Sequence, residues 1–145
     1  MVHEHNVPYI AAILGGIALI ISIYAFKRTL DYQAYRELDL NYMEILKLGL
    51  EDPYLRNLDI TTQYHKLDGD KKLKYETYAF LVWNLCETIY DRKKIDKTWR
   101  PVIEEEKRLH FEWLKDKNNR RKFKDEFLNF IEKDKIPYRK GLLPI

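Results

Sequence analysis

The chain has a single cysteine, Cys86, among its 145 residues. One cysteine excludes an intrachain disulfide, and it excludes metal sites built from Cys-x-x-Cys pairs. Glycine and proline are also scarce, with five of each. Disordered and low-complexity chains are usually rich in these two residues, so their scarcity favours a compact helical chain.

A strong excess of charge is missing as well. The formal net charge is only +3 at pH 7, although 34% of the residues are charged. Nucleic-acid-binding domains usually present a concentrated basic face. The near balance of charge therefore predicts that no nucleic acid is among the partners of this protein.

Charge is absent altogether from residues 7–26, which read VPYIAAILGGIALIISIYAF. A helix of this length rises about 1.5 Å per residue and spans about 30 Å, the thickness of the hydrocarbon core of a bilayer. Neither the basic start nor the small-x-small cleavage site of a secretory signal peptide is present. The pattern predicts an uncleaved transmembrane anchor, and we assign residues 1–28 to it and its N-terminal cap.

The flanking charges predict the orientation of this anchor. Lys27 and Arg28 follow it directly, whereas residues 1–6 contain no lysine or arginine. Positively charged flanks remain in the cytoplasm. We therefore expect a single-pass protein of the cell membrane, with the N-terminus outside and the C-terminal domain in the cytoplasm.

Small residues recur four positions apart within the anchor. We call Ala11, Ala12, Gly15 and Gly16 the small-residue face. Such faces let two transmembrane helices approach closely, and they indicate association with other membrane subunits or with a second copy. Since alanine and glycine are common in membrane helices, ordinary composition is the alternative interpretation.

Residues 29–135 predict a helical domain, and residues 136–145 an irregular tail. Apolar residues recur at three- and four-residue spacing, which is typical of amphipathic helices. The predicted helices cover about 29–50, 71–93, 99–114 and 119–133. The fold class is therefore all-α, with one transmembrane helix followed by a small bundle of about four cytoplasmic helices.

The apolar stripe of the 71–93 helix predicts the core. We expect one set of side chains to be buried against another set from the later helices. The first set is Tyr78, Leu81, Leu85 and Ile89, and the second is Trp99, Trp113, Phe127 and Phe130. Cys86 lies on the same stripe, where it is expected to pack as a small apolar residue.

Residues that could carry chemistry are few. His110 lies on the apolar side of its helix with Glu106 four positions before it, a pair that is more often structural than catalytic. His3 and His5 are weak candidates for a metal site, because imidazole suits copper, nickel and zinc but two histidines bind weakly. No nucleophile–base pair, ligand set or glycine-rich phosphate loop is visible. We therefore expect a protein that is not an enzyme, without a cofactor or a small-molecule substrate.

Cations are grouped in two places, which we together call the basic patch: Lys27, Arg28, Arg120, Arg121, Lys122 and Lys124. These side chains could contact phosphates or the headgroups of anionic lipids. The alternative is that residues 118–124 are simply the solvated start of a helix.

Several features together resemble uncharacterised prokaryotic single-pass membrane proteins with an N-terminal anchor and a small helical cytoplasmic domain. They are an N-terminal anchor, a Tyr/Leu-rich helix ending near Glu51-Asp52-Pro53-Tyr54-Leu55-Arg56, a core helix around Tyr78 to Tyr90, a helix beginning at Trp99, and a closing helix from Phe123 to Phe130. The resemblance implies a fold and a membrane location, and it implies no chemistry.

These observations predict a membrane-anchored helical interaction module that serves as an accessory or scaffolding subunit of a larger membrane complex. Its abundant tyrosine and tryptophan fit this prediction, because aromatic residues are enriched at protein interfaces. The alternative is a peripheral lipid- or phosphate-binding regulator that acts through the basic patch.

Overall fold

The structure is a computed structural model that describes residues 7–92 and 96–133, with side chains described for 9–92 and 98–133. The described residues are all-helical and contain no strand. The α-helices are α1 (Val7–Glu51), α2 (Leu58–Thr61), α3 (Gly69–Asp91), α4 (Asp96–Lys115), α5 (Lys117–Arg120) and α6 (Asp125–Lys133). Two short 3-10 helices, Pro53–Arg56 and Tyr64–Lys66, flank α2.

The chain divides into two compact units. The first unit ends at Leu40, and the second begins at Asn41. The division falls inside α1, a continuous helix in which no glycine or proline lies between Gly16 and Gly49. The boundary that the sequence predicts between the anchor and the helical domain lies nearer the N-terminus, after Arg28.

The first unit consists of the N-terminal part of α1, and its residues from Tyr9 to Gln33 are exposed. Its apolar segment is long enough to cross a membrane, and none of that segment is buried against the rest of the chain. Ser22 and Thr29 donate their hydroxyl protons to the carbonyls of Ala18 and Ala25, four residues earlier. Their polar groups are therefore satisfied inside the helix, as an apolar environment requires.

Local capping explains the start of α2 and of α3. The side chain of Asn57 accepts hydrogen bonds from the backbone N–H groups of Asp59 and Ile60, which fixes the first turn of α2. Gly69 has a φ of +46°, a conformation that costs glycine little and other residues more. It follows Asp68, which is the N-cap residue of α3.

The core of the second unit is built around α3. One face of this helix is buried at Tyr75, Tyr78, Ala79, Val82, Trp83, Leu85, Cys86 and Ile89. From α4 and α6, the core receives Trp99, Ile103, Leu109, Trp113, Leu114, Phe127, Leu128 and Ile131. Aromatic rings meet edge-to-face at several points, including Trp83 and Phe127 with centroids 6.2 Å apart.

Two members of the predicted core are placed differently. Leu81 is 40% exposed, so its predicted burial was wrong. At about 100° per residue it lies outside the arc that Val82, Cys86 and Ile89 centre on the core. Phe130 is half-buried and stacks on Tyr90 at the edge of the core. The predicted burial of the other six side chains is confirmed, as is that of Cys86.

Helix limits also differ from the sequence pattern. The helix α4 begins at Asp96, so Pro101 lies inside it rather than in its first turn. The predicted 119–133 helix is divided into α5 and α6 by a turn around Phe123. That turn brings the Phe123 ring to Phe80 and Trp113. Phe123 is therefore a core residue, as its place in the apolar stripe predicts, but it lies outside the helices.

Candidate functional site

A buried polar cluster in the second unit is the strongest concentration of interacting polar side chains that the structure describes. We call Tyr42, Arg56, Tyr75, Tyr78, Glu106 and His110 the polar cluster. Its members come from α1, the Pro53–Arg56 turn, α3 and α4. The cluster therefore connects four elements, and it ties α4 to residues 50 and 64 positions earlier in the chain.

Glu106 is the centre of the cluster and is only 1% exposed. Its Oε1 accepts a hydrogen bond from Arg56 Nη1 at 2.8 Å and another from the Tyr42 hydroxyl at 3.2 Å. The same Arg56 nitrogen donates to the Tyr78 hydroxyl at 3.1 Å. Removing one partner of such a buried ion pair usually lowers the free energy of unfolding by about 3–5 kcal/mol, because the other charge is left unpaired.

His110 lies one helical turn after Glu106 and is fully buried, with 0% exposure. Its Nδ1 is 3.1 Å from the Tyr75 hydroxyl, and its Nε2 is 3.5 Å from Glu106 Oε2. If Tyr75 donates to Nδ1, the remaining proton of the neutral imidazole lies on Nε2 and faces the carboxylate. The two side chains therefore face each other along α4, without a hydrogen bond between them.

Burial dominates the protonation behaviour of the cluster. Burial, aided by the Arg56 and Arg108 charges, lowers the pKa of His110 to about 3. Burial raises the pKa of Glu106, against the opposing charge of Arg56. Burial and the Glu106 charge raise the pKa of Tyr42 to about 12. With a pKa of about 3, His110 is neutral near pH 7, and Arg56 is the positive partner that opposes the effect of burial on the Glu106 carboxyl.

Gly49 makes room for the arginine of the cluster. A Cβ atom at this position would lie 2.5 Å from Arg56 Cδ, 2.9 Å from Arg56 Cγ and 3.2 Å from the Tyr78 hydroxyl. The Arg56 stem cannot swing away freely, because its guanidinium is bonded at both Glu106 and Tyr78. Only glycine in α1 allows this close approach.

We therefore expect Gly49→Ala to destabilise the second unit, although alanine is the better helix former by about 1 kcal/mol. Overpacking of this kind costs about 1–3 kcal/mol. The expected result is a lower free energy of unfolding, measured by denaturant titration of tryptophan fluorescence. Gly16→Ala is the matched control, since nothing lies within 4 Å of a Cβ at that position and stability should not fall.

The chemistry open to the polar cluster is that of a closed structural network. Its carboxylate and imidazole are shut off from solvent, and a reacting group needs a substrate within hydrogen-bond reach. Among the described residues, no group of three or more His, Cys, Asp or Glu side chains could hold a metal ion. Burial also raises the pKa of the Cys86 thiol well above its usual range, which opposes thiolate reactivity.

The basic patch is placed in two parts. Lys27 and Arg28 are exposed residues of the first unit. In the second unit, Arg120 pairs with Glu132 at 2.5 Å, and Lys124 pairs with Asp91 at 2.5 Å.

The other two cations of the second unit also have neighbours. Arg121 donates to the side chain of Asn118. Lys122 lies over the rings of Trp113 and Phe80 at 5.2 and 5.7 Å. These four cations therefore have contacts of their own, and no bound anion is needed to account for their positions.

The remaining predicted sites fall on the anchor and on the N-terminal cap. Ala11, Ala12, Gly15 and Gly16 are all exposed, and a Cβ at either glycine would meet open space. His3 and His5 lie outside the described residues, as does the predicted tail from residue 136. The predictions for these terminal residues stay predictions.

Sequence reasoning found part of the polar cluster. The four-residue spacing of Glu106 and His110 identified one pair, because residues four apart share a helix face. Arg56 and Tyr42 were missed, since their partners are 50 and 64 positions away in sequence. Gly49 is the signal that the sequence offered, since it is the one glycine between residues 17 and 68, but a glycine at such a place also marks the end of a helix.

No family model matches the chain. No curated protein and no solved structure matches it either. The resemblance to single-pass membrane proteins therefore rests on the sequence pattern alone, and function has to be argued from the residues themselves.

Proposed function

We propose that the protein is a membrane-anchored helical interaction module, an accessory or scaffolding subunit that joins a larger membrane complex. In this proposal residues 7–26 cross the membrane once, and the second unit is a small helical bundle in the cytoplasm. The observation that carries the proposal is the uncharged segment of α1, which is exposed on all sides.

The exposure pattern of that segment supports lipid as its surroundings. Large apolar side chains from Tyr9 to Phe26 are about half or more exposed, and they lie all around the helix rather than on one stripe. A helix that is apolar all round needs an apolar environment. Exposed apolar area of this extent is rare on soluble monomers, and it marks membrane or protein contact.

The packing of the second unit supports a non-catalytic role for it. Its large aromatic side chains and its buried charges are used to build a single core around α3. The residues that remain for a partner are those of the anchor and of the outer surface. Binding through them needs no cofactor, which agrees with the interaction role.

The first test concerns topology. With Lys27 and Arg28 as the cytoplasmic flank, protease added to right-side-out vesicles should leave the second unit intact. Permeabilised vesicles are the control, and in them the same unit should become accessible to the protease. Digestion of the second unit in sealed vesicles would mean that the orientation is reversed.

The second test concerns the partner. Gly16→Ile retains the hydrophobicity of the anchor, so the variant should still insert into the membrane. It also places a branched side chain on the small-residue face, where close helix packing needs small residues. We expect the variant to lose its co-purifying subunits after gentle detergent extraction and native electrophoresis.

Ile20→Leu is the matched control for this test, since it changes shape modestly at a neighbouring depth of the anchor. It should retain the same associated proteins as the unmodified chain. Equal recovery of the same proteins with Gly16→Ile would show that the small-residue face reflects composition only. Association would then have to be sought on the surface of the second unit.

The alternative function is a lipid- or phosphate-binding regulator that uses the basic patch. Exposed Arg121 and Lys122 favour it, whereas the pairing of Arg120 and Lys124 with carboxylates weakens it. The two functions differ in salt dependence, because headgroup binding through exposed cations is screened within about 10 Å at 0.1 M salt. Association that persists at high salt favours the interaction module.

A further inference from the structure

The polar cluster holds both signs of charge in the core of the second unit. Three ionisable side chains, Arg56, Glu106 and His110, lie together with little or no access to water. With His110 neutral, the guanidinium and the carboxylate cancel. One further proton leaves a net positive charge inside the core, and burying an unbalanced charge is costly.

A further proton on the imidazole would go to Nδ1 and cost the hydrogen bond that Tyr75 donates there. Glu106 Oε2 and His110 Nε2 face each other at 3.5 Å, and neither has a hydrogen-bond partner among the described residues. The other carboxylate oxygen is already used by Arg56 and Tyr42. A protonated His110 would therefore share this one carboxylate with the guanidinium of Arg56, so that a single negative charge would face two positive ones.

Among the described side chains that face His110, none besides Glu106 carries a negative charge. Tyr75 and Tyr78 face it from α3, and Arg56 faces it from the turn before α2. From its own helix, Glu106 and Arg108 act on it. Glu106 is thus the single carboxylate in this set.

We propose that the polar cluster is an acid-sensitive latch: His110 stays neutral while the Arg56–Glu106 pair is closed, and acid favours an opened state in which His110 takes up a proton and the elements that the pair connects are loosened. The elements released are the C-terminal turns of α1, through Tyr42, and the Pro53–Arg56 turn, through Arg56. The latch belongs to the second unit, so it does not depend on whether residues 7–26 cross a membrane.

The sign of the pH dependence follows from the lowered pKa of His110. Between about pH 3 and the ordinary value of 6.5, the unfolded chain binds a proton at this histidine and the folded chain does not. The stabilisation is therefore complete above pH 6.5 and is lost as the pH falls toward 3. Glu106 acts in the opposite direction, because its raised pKa favours proton uptake by the folded chain.

The test is denaturant unfolding of the full chain in detergent micelles, followed by tryptophan fluorescence from pH 7.5 to pH 5. All three tryptophans, Trp83, Trp99 and Trp113, lie in the second unit, so the signal reports on that unit. Between pH 7.5 and pH 5, His110 alone should raise the unfolding equilibrium constant about 30-fold. His110→Gln should remove this contribution to the pH dependence of unfolding. His65 is exposed, and His65→Gln should show the same pH dependence as the unmodified chain.

A second measurement covers the outcome in which His110→Gln does not fold. The imidazole resonances of the unmodified chain can be followed by NMR over the same pH range, with His65→Gln to assign that histidine. The proposal expects His110 to stay neutral down to pH 5 while the protein remains folded. Titration of His110 near pH 6.5 in the folded chain, or equal pH dependence of the unmodified chain and His110→Gln, would overturn it.

Discussion

Replacing Arg56 by methionine is expected to lower the free energy of unfolding of the second unit by about 3–5 kcal/mol near pH 7. The arginine itself retains some exposure, with a side chain 20% accessible, but its partner Glu106 is 1% accessible. Removing the guanidinium leaves that carboxylate buried with only the Tyr42 hydroxyl as a donor. The measurement is denaturant unfolding by tryptophan fluorescence.

The double variant Arg56→Met/Glu106→Gln distinguishes the loss of the ion pair from the loss of packing. If the cost comes from the unpaired carboxylate, neutralising Glu106 should recover a large part of the stability, since residues in one network are strongly coupled. The single variant should also be relatively less damaging at low pH, where Glu106 can be protonated. Purely additive effects of the two substitutions would contradict the assignment of Glu106 as the centre of the cluster.

Trp83→Ala is the second substitution with a large expected effect, about 3–5 kcal/mol. Trp83 is 0% exposed, its ring meets Phe127 edge-to-face, and its Nε1 donates to the backbone carbonyl of His110 at 3.2 Å. Truncation removes the largest side chain of α3 and leaves that carbonyl without this donor. Trp99 and Trp113 remain to report unfolding.

Leu81→Ala is the matched control on the same helix. Leu81 is two positions from Trp83 but lies on the outer side of α3, 40% exposed. Surface substitutions usually change stability by less than about 0.5 kcal/mol. A cost for Leu81→Ala comparable with that for Trp83→Ala would mean that the buried face of α3 is assigned wrongly.

The contrast between these two residues shows what the sequence could predict. Three- and four-residue periodicity correctly indicated helices and most of the core, because burial on a helix repeats every 3.6 residues. It could not decide the edge of the buried arc, since an apolar residue such as Leu81 fits either side of that edge. The edge depends on which elements pack against α3, and that is a property of the tertiary fold.

In the polar cluster, too, some contacts could be predicted from the sequence and others could not. Glu106 and His110 share one helix face, so local geometry alone suggested their contact. Arg56 reaches Glu106 only because Gly49 lets its stem pass close to α1 and because the chain turns after Pro53. Such long-range pairs leave no periodic signal in a single sequence. The long apolar helix, in contrast, could be predicted from composition, since the absence of charge over residues 7–26 is a local property.

Alkaline carbonate extraction of native membranes tests the central claim most directly, because it strips peripheral proteins and leaves transmembrane ones in the pellet. The chain should remain in the membrane pellet, as a single spanning helix of about 20 apolar residues requires. A variant that lacks residues 7–26 should move to the supernatant. Recovery of the unmodified chain in the supernatant at the yield of that deletion would contradict the claim that residues 7–26 cross the membrane.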